Sequence, residues 1–411
     1  MRCRATFIPS LVSHFATMSR FVLLFPLLLL WACTPERVGP SASCTADATL
    51  PSATSHPKAA AIQALMDEYV AKGIPGMTVL VADSNGIWYA SAGYASLEDQ
   101  LPMQPCHINK LGSVTKMMMG ALVWTYIQDG LLIIDAPIST YIPEVAAALP
   151  YGDDITLAML LEHSSGIYDI ARDLGYNLAV INDFSRSWTP EEILAYVEGK
   201  EATHRPGTAV AYSNTNTLLE GMILEAVTGR PHAELLQERI FDPLEMNSTV
   251  YFDYRRDFPR GEVTQGYLDL NNDGGAIQNI SALNPGSGNG YTGVYSTVTD
   301  LYRFMRALLV EQTLISPENL AYIVANGLDT PGGTWRSSPG GIHDEFRDVL
   351  PADIHAYGHA GGDIGYSANL NYLPHNGTIF AATFNYGTNL NTPLGEELGA
   401  LRRALIQLMA Q

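Results

Sequence analysis

The stretch LGSVTKMMMGALVWTYIQDG, from Leu111 to Gly130, places Ser113 and Lys116 three residues apart at the start of an apolar, helix-like run. Residues at this spacing share one face of a helix, so the two side chains would meet. The methionines directly after Lys116 predict a buried position for one of only five lysines in the chain. A serine hydroxyl becomes a nucleophile when a base takes its proton, and burial can lower the pKa of a lysine enough for that role. Ser113 and Lys116 are therefore a candidate nucleophile and base.

The alternative interpretation of this pair is a helix-capping serine followed by an exposed lysine. The chain also contains a second serine and lysine at the same spacing, Ser55 and Lys58. That copy includes a proline and precedes a predicted helix, so we interpret it as a chance occurrence.

A second polar element, Tyr212-Ser213-Asn214, follows a Pro-Gly turn and precedes a predicted helix. A tyrosine held near a cationic lysine can pass protons, and an asparagine can orient a substrate amide. The alternative is a loop that only caps the next helix.

A third element, His359-Ala360-Gly361-Gly362, lies just before the C-terminal strand pattern. Its glycines would let a substrate approach the backbone closely. His375 begins a similar His-x-Gly pattern, but there Asn376-Gly377 lies between strand-like segments, which predicts a hairpin tip.

Both ends of the chain carry strand patterns. Residues 57–73 predict a helix, followed by two strands around Asn85-Gly86, and near the other end two strands flank Asn376-Gly377. Thr392 and Pro393 begin a predicted C-terminal helix. The residues from about 115 to 280 are mainly helical patterns. We therefore expect a mixed α/β (α+β) fold, with an antiparallel sheet built from both termini, flanked by helices, and a mainly helical region inserted between.

Taken in order, Ser-Val-Thr-Lys, Tyr-Ser-Asn and His-Ala-Gly resemble the three active-site motifs of the penicillin-recognising serine hydrolases. The flanking segments ITLAMLLEHSSGIYD and TGVYSTVTDLYRFMRALL resemble the branch with class C β-lactamases, D-alanyl-D-alanine carboxypeptidases and related esterases. The resemblance covers residues 57–411 and implies a β-lactamase/transpeptidase-like fold, with the site in the groove between its sheet and helical regions.

The resemblance also implies a role for each motif residue. Ser113 would be acylated, Lys116 would be its base and Tyr212 the proton shuttle. Asn214, His359 and Gly361 would contact the substrate. The backbone N–H groups of Ser113 and Gly362 would form the oxyanion hole.

This sequence departs from the β-lactamases at His359, where those enzymes usually carry a lysine. A histidine there resembles the carboxypeptidase, so we expect poor β-lactamase activity. With a reference pKa near 6.5, a histidine would also change charge between about pH 6 and 8 and make recognition of anionic substrates pH-dependent.

The other candidate sites favour structural interpretations. His163 stands beside two serines, but adjacent residues rarely form a catalytic pair, so we expect a structural turn. The segment from Asp269 begins like a calcium loop, yet Ile280 occupies the position of the expected glutamate, which favours a polar turn. We predict no metal site and no cofactor.

The N-terminus has the pattern of an export signal. In residues 1–33 an arginine precedes an apolar run of about a dozen residues that ends at Cys33, with Met18 as an alternative start. The end resembles a bacterial lipoprotein signal, in which Cys33 would carry lipid; the alternatives are a plain cleaved signal or an uncleaved anchor. Residues 34–56 predict a flexible tether, and residues 57–411 the catalytic domain. We expect an exported, cell-envelope or periplasmic protein that contacts membrane only through its lipid.

Composition adds two constraints. The formal net charge of the 411 residues is −19 without a basic cluster, which argues against nucleic acid as a partner. In an oxidising compartment Cys44 and Cys106 could form a disulfide or remain two free thiols. The sequence leaves the oligomeric state open.

The sequence therefore predicts an exported serine hydrolase that uses an acyl-serine intermediate on small-molecule or peptide substrates, such as D-amino-acid peptides and related amides. The alternatives are a carboxylesterase with the same catalytic residues and a non-catalytic relative that binds muropeptides or a protein partner.

Overall fold

The computed structural model describes residues 50, 52–183, 186–253, 262–272, 274, 276–282, 288–388 and 391–411. The predicted signal peptide with Cys33, most of the tether and Cys44 lie outside these ranges. Cys106 is disulfide-bonded, and its pairing with Cys44 stays a prediction. Within the described ranges, no helix has both the length and the apolar character needed to cross a membrane.

Fourteen strands are present among the described residues. They are β1 Gly76–Asp83, β2 Gly86–Ser96, β3 Leu101–Pro102, β4 Asn109–Lys110, β5 Val250–Tyr251, β6 Tyr267–Leu268, β7 Gln278–Asn279, β8 Val294–Ser296, β9 Leu328–Asp329, β10 Arg336–Ser337, β11 His343–Asp344, β12 Tyr357–Asp363, β13 Tyr366–Leu373 and β14 Thr378–Phe384. Nine of them form one antiparallel sheet in the order β3-β2-β1-β14-β13-β12-β11-β10-β9, while β4-β8-β5 and β6-β7 form two smaller sheets.

The centre of the large sheet joins the two ends of the chain. Strand β1 pairs antiparallel with β14, with Met77 opposite Phe384. The predicted hairpins at Asn85-Gly86 and Asn376-Gly377 connect β1 to β2 and β13 to β14. The expected sheet built from both termini is therefore confirmed.

Strand β1 is an almost unbroken apolar run because both of its faces are buried. Its side chains alternate between two hydrophobic cores. Val79 and Val81 pack in the core that includes residues of the first and last helices, whereas Leu80 and Ala82 pack in the core on the other side of the sheet. The period of two along a strand produces this division.

Eleven α-helices surround the sheets in the described part of the chain. They are α1 Ala59–Ala71, α2 Thr115–Gln128, α3 Pro143–Ala147, α4 Leu157–Leu161, α5 Leu174–Asn182, α6 Pro190–Leu194, α7 Asn214–Thr228, α8 His232–Leu236, α9 Val298–Met305, α10 Pro317–Ala325 and α11 Pro393–Met409. As predicted, Thr392 caps α11 by accepting a hydrogen bond from Gly395 N at 3.0 Å. The inserted helices end at Phe241, where a π-helical turn follows α8. The described residues from there to 282 carry short strands, so the helical region is shorter than predicted.

Helix α2, which begins just after Ser113, is buried on nearly all sides. Its Gly120 lies against Gly340, where an added Cβ would be 2.3 Å from the Gly340 carbonyl oxygen. Trp124 Nε1 donates a hydrogen bond to Pro339 O at 2.7 Å. A helix that is apolar all round belongs inside the molecule, and this one fixes the start of the site rigidly.

The predicted tether is shorter than residues 34–56, because its last residues bind the domain. Ser52 forms a parallel bridge with Ile87. His56 is buried, and its Nε2 lies 3.1 Å from Asp83 Oδ2. This contact and the stacking of His56 on Trp88 hold the segment against the first hairpin.

Candidate active site

Ser113 and Lys116 meet as predicted at the start of α2. Ser113 lies in a 3₁₀ turn, Gly112–Val114, that leads into the helix. Lys116 Nζ lies 3.0 Å from Ser113 Oγ. Gly112 has a φ of 55°, and an added Cβ would lie 2.6 Å from Gly362 O. Only glycine lets this turn approach β12 so closely.

Three contacts surround the Lys116 amine. Its Nζ donates hydrogen bonds to Asn214 Oδ1 and to Tyr291 O, both at 2.8 Å, and the third contact is Ser113 Oγ. The amide and carbonyl oxygens can only accept. A neutral amine with its two N–H groups so engaged has one lone pair left, and that lone pair faces the serine hydroxyl. The geometry therefore suits transfer of the Ser113 proton to Lys116.

The electrostatics favour the same transfer. Burial lowers the pKa of Lys116 to about 7, against opposing contributions from the carboxylates of Asp169, Glu220 and Asp363. The fall from 10.5 corresponds to about 5 kcal/mol between the two protonation states. A large fraction of this lysine is therefore neutral near pH 7.

Asp169 orients Asn214, and sequence reasoning missed it. Asp169 Oδ1 accepts hydrogen bonds from Asn214 N at 2.9 Å and from Asn214 Nδ2 at 3.0 Å. With its amide nitrogen bound there, Asn214 must turn its oxygen toward Lys116. Asp169 itself is held by a bond from Ala171 N at 3.2 Å.

Tyr212 lies over the amine, with Lys116 Nζ 5.1 Å from its ring centroid. Its hydroxyl is buried and has no hydrogen bond of normal geometry among the described residues. Burial raises the pKa of Tyr212, although an interaction with Ser113 opposes part of the rise. The phenol is therefore protonated at neutral pH and ready to donate.

His163 positions this phenol by packing. Its ring centroid lies 4.3 Å from that of Tyr212, and its Nδ1 accepts a hydrogen bond from Asn216 Nδ2 at 3.1 Å. Its φ of 58° agrees with the expected turn. His163 has no short contact with Ser164 or Ser165 that would make a catalytic pair.

The third motif lies on β12 beside Ser113. An added Cβ on Gly361 would be 1.9 Å from Leu111 O and 3.3 Å from Ser113 N. The backbone of β12 therefore runs directly along the serine turn, as the predicted oxyanion hole of Ser113 and Gly362 requires. Arg402 on α11 donates a hydrogen bond to Gly361 O at 2.8 Å and supports the strand from behind.

His359 is near the site, but its predicted charge change is wrong. Burial lowers the pKa of His359 to about 3, and the positive charge of Lys116 lowers it further. Its ring lies 4.1 Å from the His343 ring and 6.1 Å from that of Tyr212. His359 is therefore a neutral imidazole throughout the range where its titration was expected.

The other sequence patterns that resembled site motifs lie away from the Ser113–Lys116 site. Ser55 is exposed, and Lys58 Nζ donates instead to Met409 O at 3.1 Å. His375 is exposed at a hairpin tip. Asp269 Oδ2 accepts from Gly274 N at 2.9 Å, which agrees with a polar turn; Asp273 of the calcium-like pattern lies outside the described residues.

The chain is similar to several known proteins. A family model described as Beta-lactamase matches residues 60–401. The D-alanyl-D-alanine-carboxypeptidase/endopeptidase AmpH of Escherichia coli (strain K12) is 28% identical over 317 residues, which are 74% of this chain and 78% of that protein. Lovastatin esterase of Penicillium rubens is 28% identical over 276 residues, which are 59% of this chain and 66% of that protein.

Among solved structures, a D-stereospecific amidohydrolase from Streptomyces sp. is 26% identical with a TM-score of 0.71 and covers 80% of this chain and 95% of its own. The expected fold is thereby confirmed. Because the family model spans most of the sequence, the protein belongs to the beta-lactamase family and is a serine hydrolase of that fold.

Proposed function

We propose that this protein is an exported hydrolase that forms an acyl-serine intermediate at Ser113 and acts on D-amino-acid peptides or related amides. The observation that carries the proposal is the hydrogen-bond arrangement around Lys116, which leaves its lone pair facing Ser113 Oγ. The relatives named for D-alanyl-D-alanine carboxypeptidase and D-stereospecific amidohydrolase activity support the substrate class.

In the proposed reaction, Ser113 Oγ attacks the carbonyl carbon while its proton passes to Lys116 Nζ. The N–H groups of Ser113 and Gly362 would stabilise the resulting oxyanion. When the bond to the leaving amine breaks, that nitrogen takes a proton from the Lys116–Tyr212 pair. Water then attacks the acyl-serine ester and gives a proton to the same pair. The bond from the acyl carbon to Ser113 Oγ breaks, and Oγ takes that proton from the pair, which releases the acid and regenerates the Ser113 hydroxyl.

A carboxylesterase is the second candidate. Neutral His359 gives the groove no cationic partner for a substrate carboxylate at the position where β-lactamases carry a lysine. That absence of charge favours uncharged substrates, and the likeness to a lovastatin esterase supports the same conclusion. The intact Ser113–Lys116–Asn214 network argues against a relative that only binds its ligand.

Turnover of three substrate types tests these alternatives. Purified protein is assayed with p-nitrophenyl esters, a D-Ala-D-Ala peptide and a chromogenic cephalosporin. We expect release of D-alanine from the peptide and only weak hydrolysis of the cephalosporin. Turnover of esters alone would reassign the protein to the carboxylesterases.

The acylation site has a direct test. A fluorescent fluorophosphonate should label the wild type and the Ser55→Ala variant, because Ser55 is exposed and remote from the network. Ser113→Ala should abolish labelling. Undiminished labelling of Ser113→Ala, with modification found at another serine, would refute the assignment.

Export and lipidation are part of the proposal and rest on the Leu-Trp-Ala-Cys pattern that ends at Cys33. Cys33→Ser should move the protein from membrane to soluble fractions, since the acyl chains of a bacterial lipoprotein anchor firmly. An unmodified mature N-terminus in the mass spectrum of the wild type would contradict lipidation.

A further inference from the structure

Three buried side chains converge beside the catalytic groove: His343 on β11, Glu345 just after it and His359 on the adjacent β12. Each offers one ligand atom, and these atoms lie within 4.8 Å of one another. The residues are 3%, 9% and 3% exposed. We propose that this cluster is a divalent transition-metal site that binds Zn²⁺ through two imidazole nitrogens and one carboxylate oxygen.

The first support is that each of the two histidines has a ring nitrogen without a hydrogen-bond partner. The Nε2 atoms of His343 and His359 are buried and form no hydrogen bond within the described part of the chain. Buried polar atoms are nearly always paired, so two unpaired imidazole nitrogens at one place require an explanation. A bound cation would satisfy both at once.

The second support is the tautomer of His359. Its Nδ1 lies 2.6 Å from Ala360 O, and because a carbonyl only accepts, Nδ1 must carry the proton. Nε2 therefore presents a lone pair. A ring N–H held by a backbone carbonyl is the usual arrangement of a metal-ligating histidine. Burial also lowers the pKa of His343 well below its usual value, so its imidazole is unprotonated as well.

Glu345 is held in place in the same manner. Its Oε1 accepts from Ala360 N at 2.7 Å and its Oε2 accepts from Asn371 Nδ2 at 2.8 Å. Each carboxylate oxygen has a second lone pair that can still bind a metal. The two hydrogen bonds fix the carboxylate without using up its capacity.

The dimensions and donor types suit zinc. Tetrahedral Zn²⁺ with bonds of 2.0–2.1 Å holds its ligand atoms about 3.3 Å apart, so each pair must close by at most about 1.5 Å, which side-chain rotation can provide. Two imidazoles and a carboxylate favour Zn²⁺ or Co²⁺ over Mg²⁺ and Ca²⁺.

The half-buried Trp335 covers the cluster, with its ring 4.2 Å from the His343 ring. Gly332 and Gly333 precede Trp335 in its segment. Displacing that segment would give an ion access.

Co²⁺ binding tests the site without reference to activity. Protein treated with EDTA and dialysed is titrated with Co²⁺, whose visible absorption reports nitrogen and oxygen ligation, and then with Zn²⁺, which should displace it. We expect one ion per chain, and a melting temperature that rises with Zn²⁺ because the ion binds the folded state.

His343→Gln and Glu345→Gln should each weaken binding by about a hundredfold or more. His375→Gln is the matched control, since His375 lies exposed on a hairpin tip and its loss should change nothing. Circular dichroism checks that each variant is folded. If His343→Gln does not fold, Glu345→Gln alone tests the site. Absence of Co²⁺ absorption in the wild type, or equal affinity in folded His343→Gln or Glu345→Gln, would overturn the proposal. Because the readout is spectroscopic, it stands or falls separately from the proposed hydrolase activity.

Discussion

Replacing Asp169 by asparagine should move the acid limb of the activity profile to lower pH. The Asp169 carboxylate raises the pKa of Lys116, in opposition to the larger effect of burial. Removing its charge therefore lowers the pKa of Lys116 further. Neutral Lys116 is the form that accepts the Ser113 proton, so the variant should keep more of its own maximal kcat/KM below pH 7 than the wild type does.

The size of this shift follows from the contacts. Lys116 Nζ lies 2.8 Å from Asn214 Oδ1, and Asn214 Nδ2 lies 3.0 Å from Asp169 Oδ1. Across the intervening amide, the two charges are at most about 8 Å apart, which at an effective dielectric constant of about 20–40 gives about 1–2 kcal/mol. Since 1.36 kcal/mol equals one pKa unit, the limb should move from about pH 7 to about pH 6.

Asparagine suits the test because it retains the Oδ1 acceptor to which Asn214 N, Asn214 Nδ2 and Ala171 N donate. The assay is kcat/KM for a neutral p-nitrophenyl ester between about pH 5 and 9. Asp173→Asn is the matched control, because Asp173 caps α5 and pairs with Lys200 at 2.6 Å rather than with the site. Glu220 and Asp363 are unchanged in every protein compared. A limb that stays in place or moves upward would refute the role assigned to Lys116.

Two further substitutions have clear expected outcomes. Gly361→Ala should reduce kcat/KM at least a hundredfold and lower the melting temperature, because its Cβ would lie 1.9 Å from Leu111 O and push β12 away from Ser113; wild-type kinetics would contradict the close packing of strand and turn. Gly399→Ala on α11 should stabilise the protein by about 0.5–1 kcal/mol, because an added Cβ there meets nothing within 4 Å and glycine is a poor helix former. Urea unfolding measures the second effect, and a lower midpoint would count against it.

The three motifs could be predicted because each carries its chemistry in a few adjacent residues. Ser113 and Lys116 share one helix turn, and the glycines after His359 make the third motif recognisable. Asp169 and Arg402 could not be predicted, since each acts on a motif residue from a distant segment through a contact that only the fold creates. A turn or a helix cap is recognisable from a local sequence pattern, whereas a contact between distant segments leaves no such pattern.

His359 shows a second limit of the sequence. Its residue type predicted a titration near neutral pH, but the pKa depends on burial and on the neighbouring Lys116, neither of which the motif reveals. The predicted tether, residues 34–56, extends too far along the chain for a related reason. Ser52 and His56 lie in a polar segment without periodicity, yet they bind Ile87 and Asp83. Hydrogen bonding to an existing edge needs no hydrophobic pattern.

The pairing of β1 with β14 also constrains how the chain acquires its structure. Met77 on β1 pairs with Phe384 on β14, so the middle of the sheet cannot form until almost the whole polypeptide is available. Contacts of such long sequence separation slow folding, and until they form, the β1 edge of the first hairpin lacks its final neighbour, β14. A chain truncated before Thr378 would keep the apolar edge of β1 permanently open, and we expect it to aggregate rather than fold.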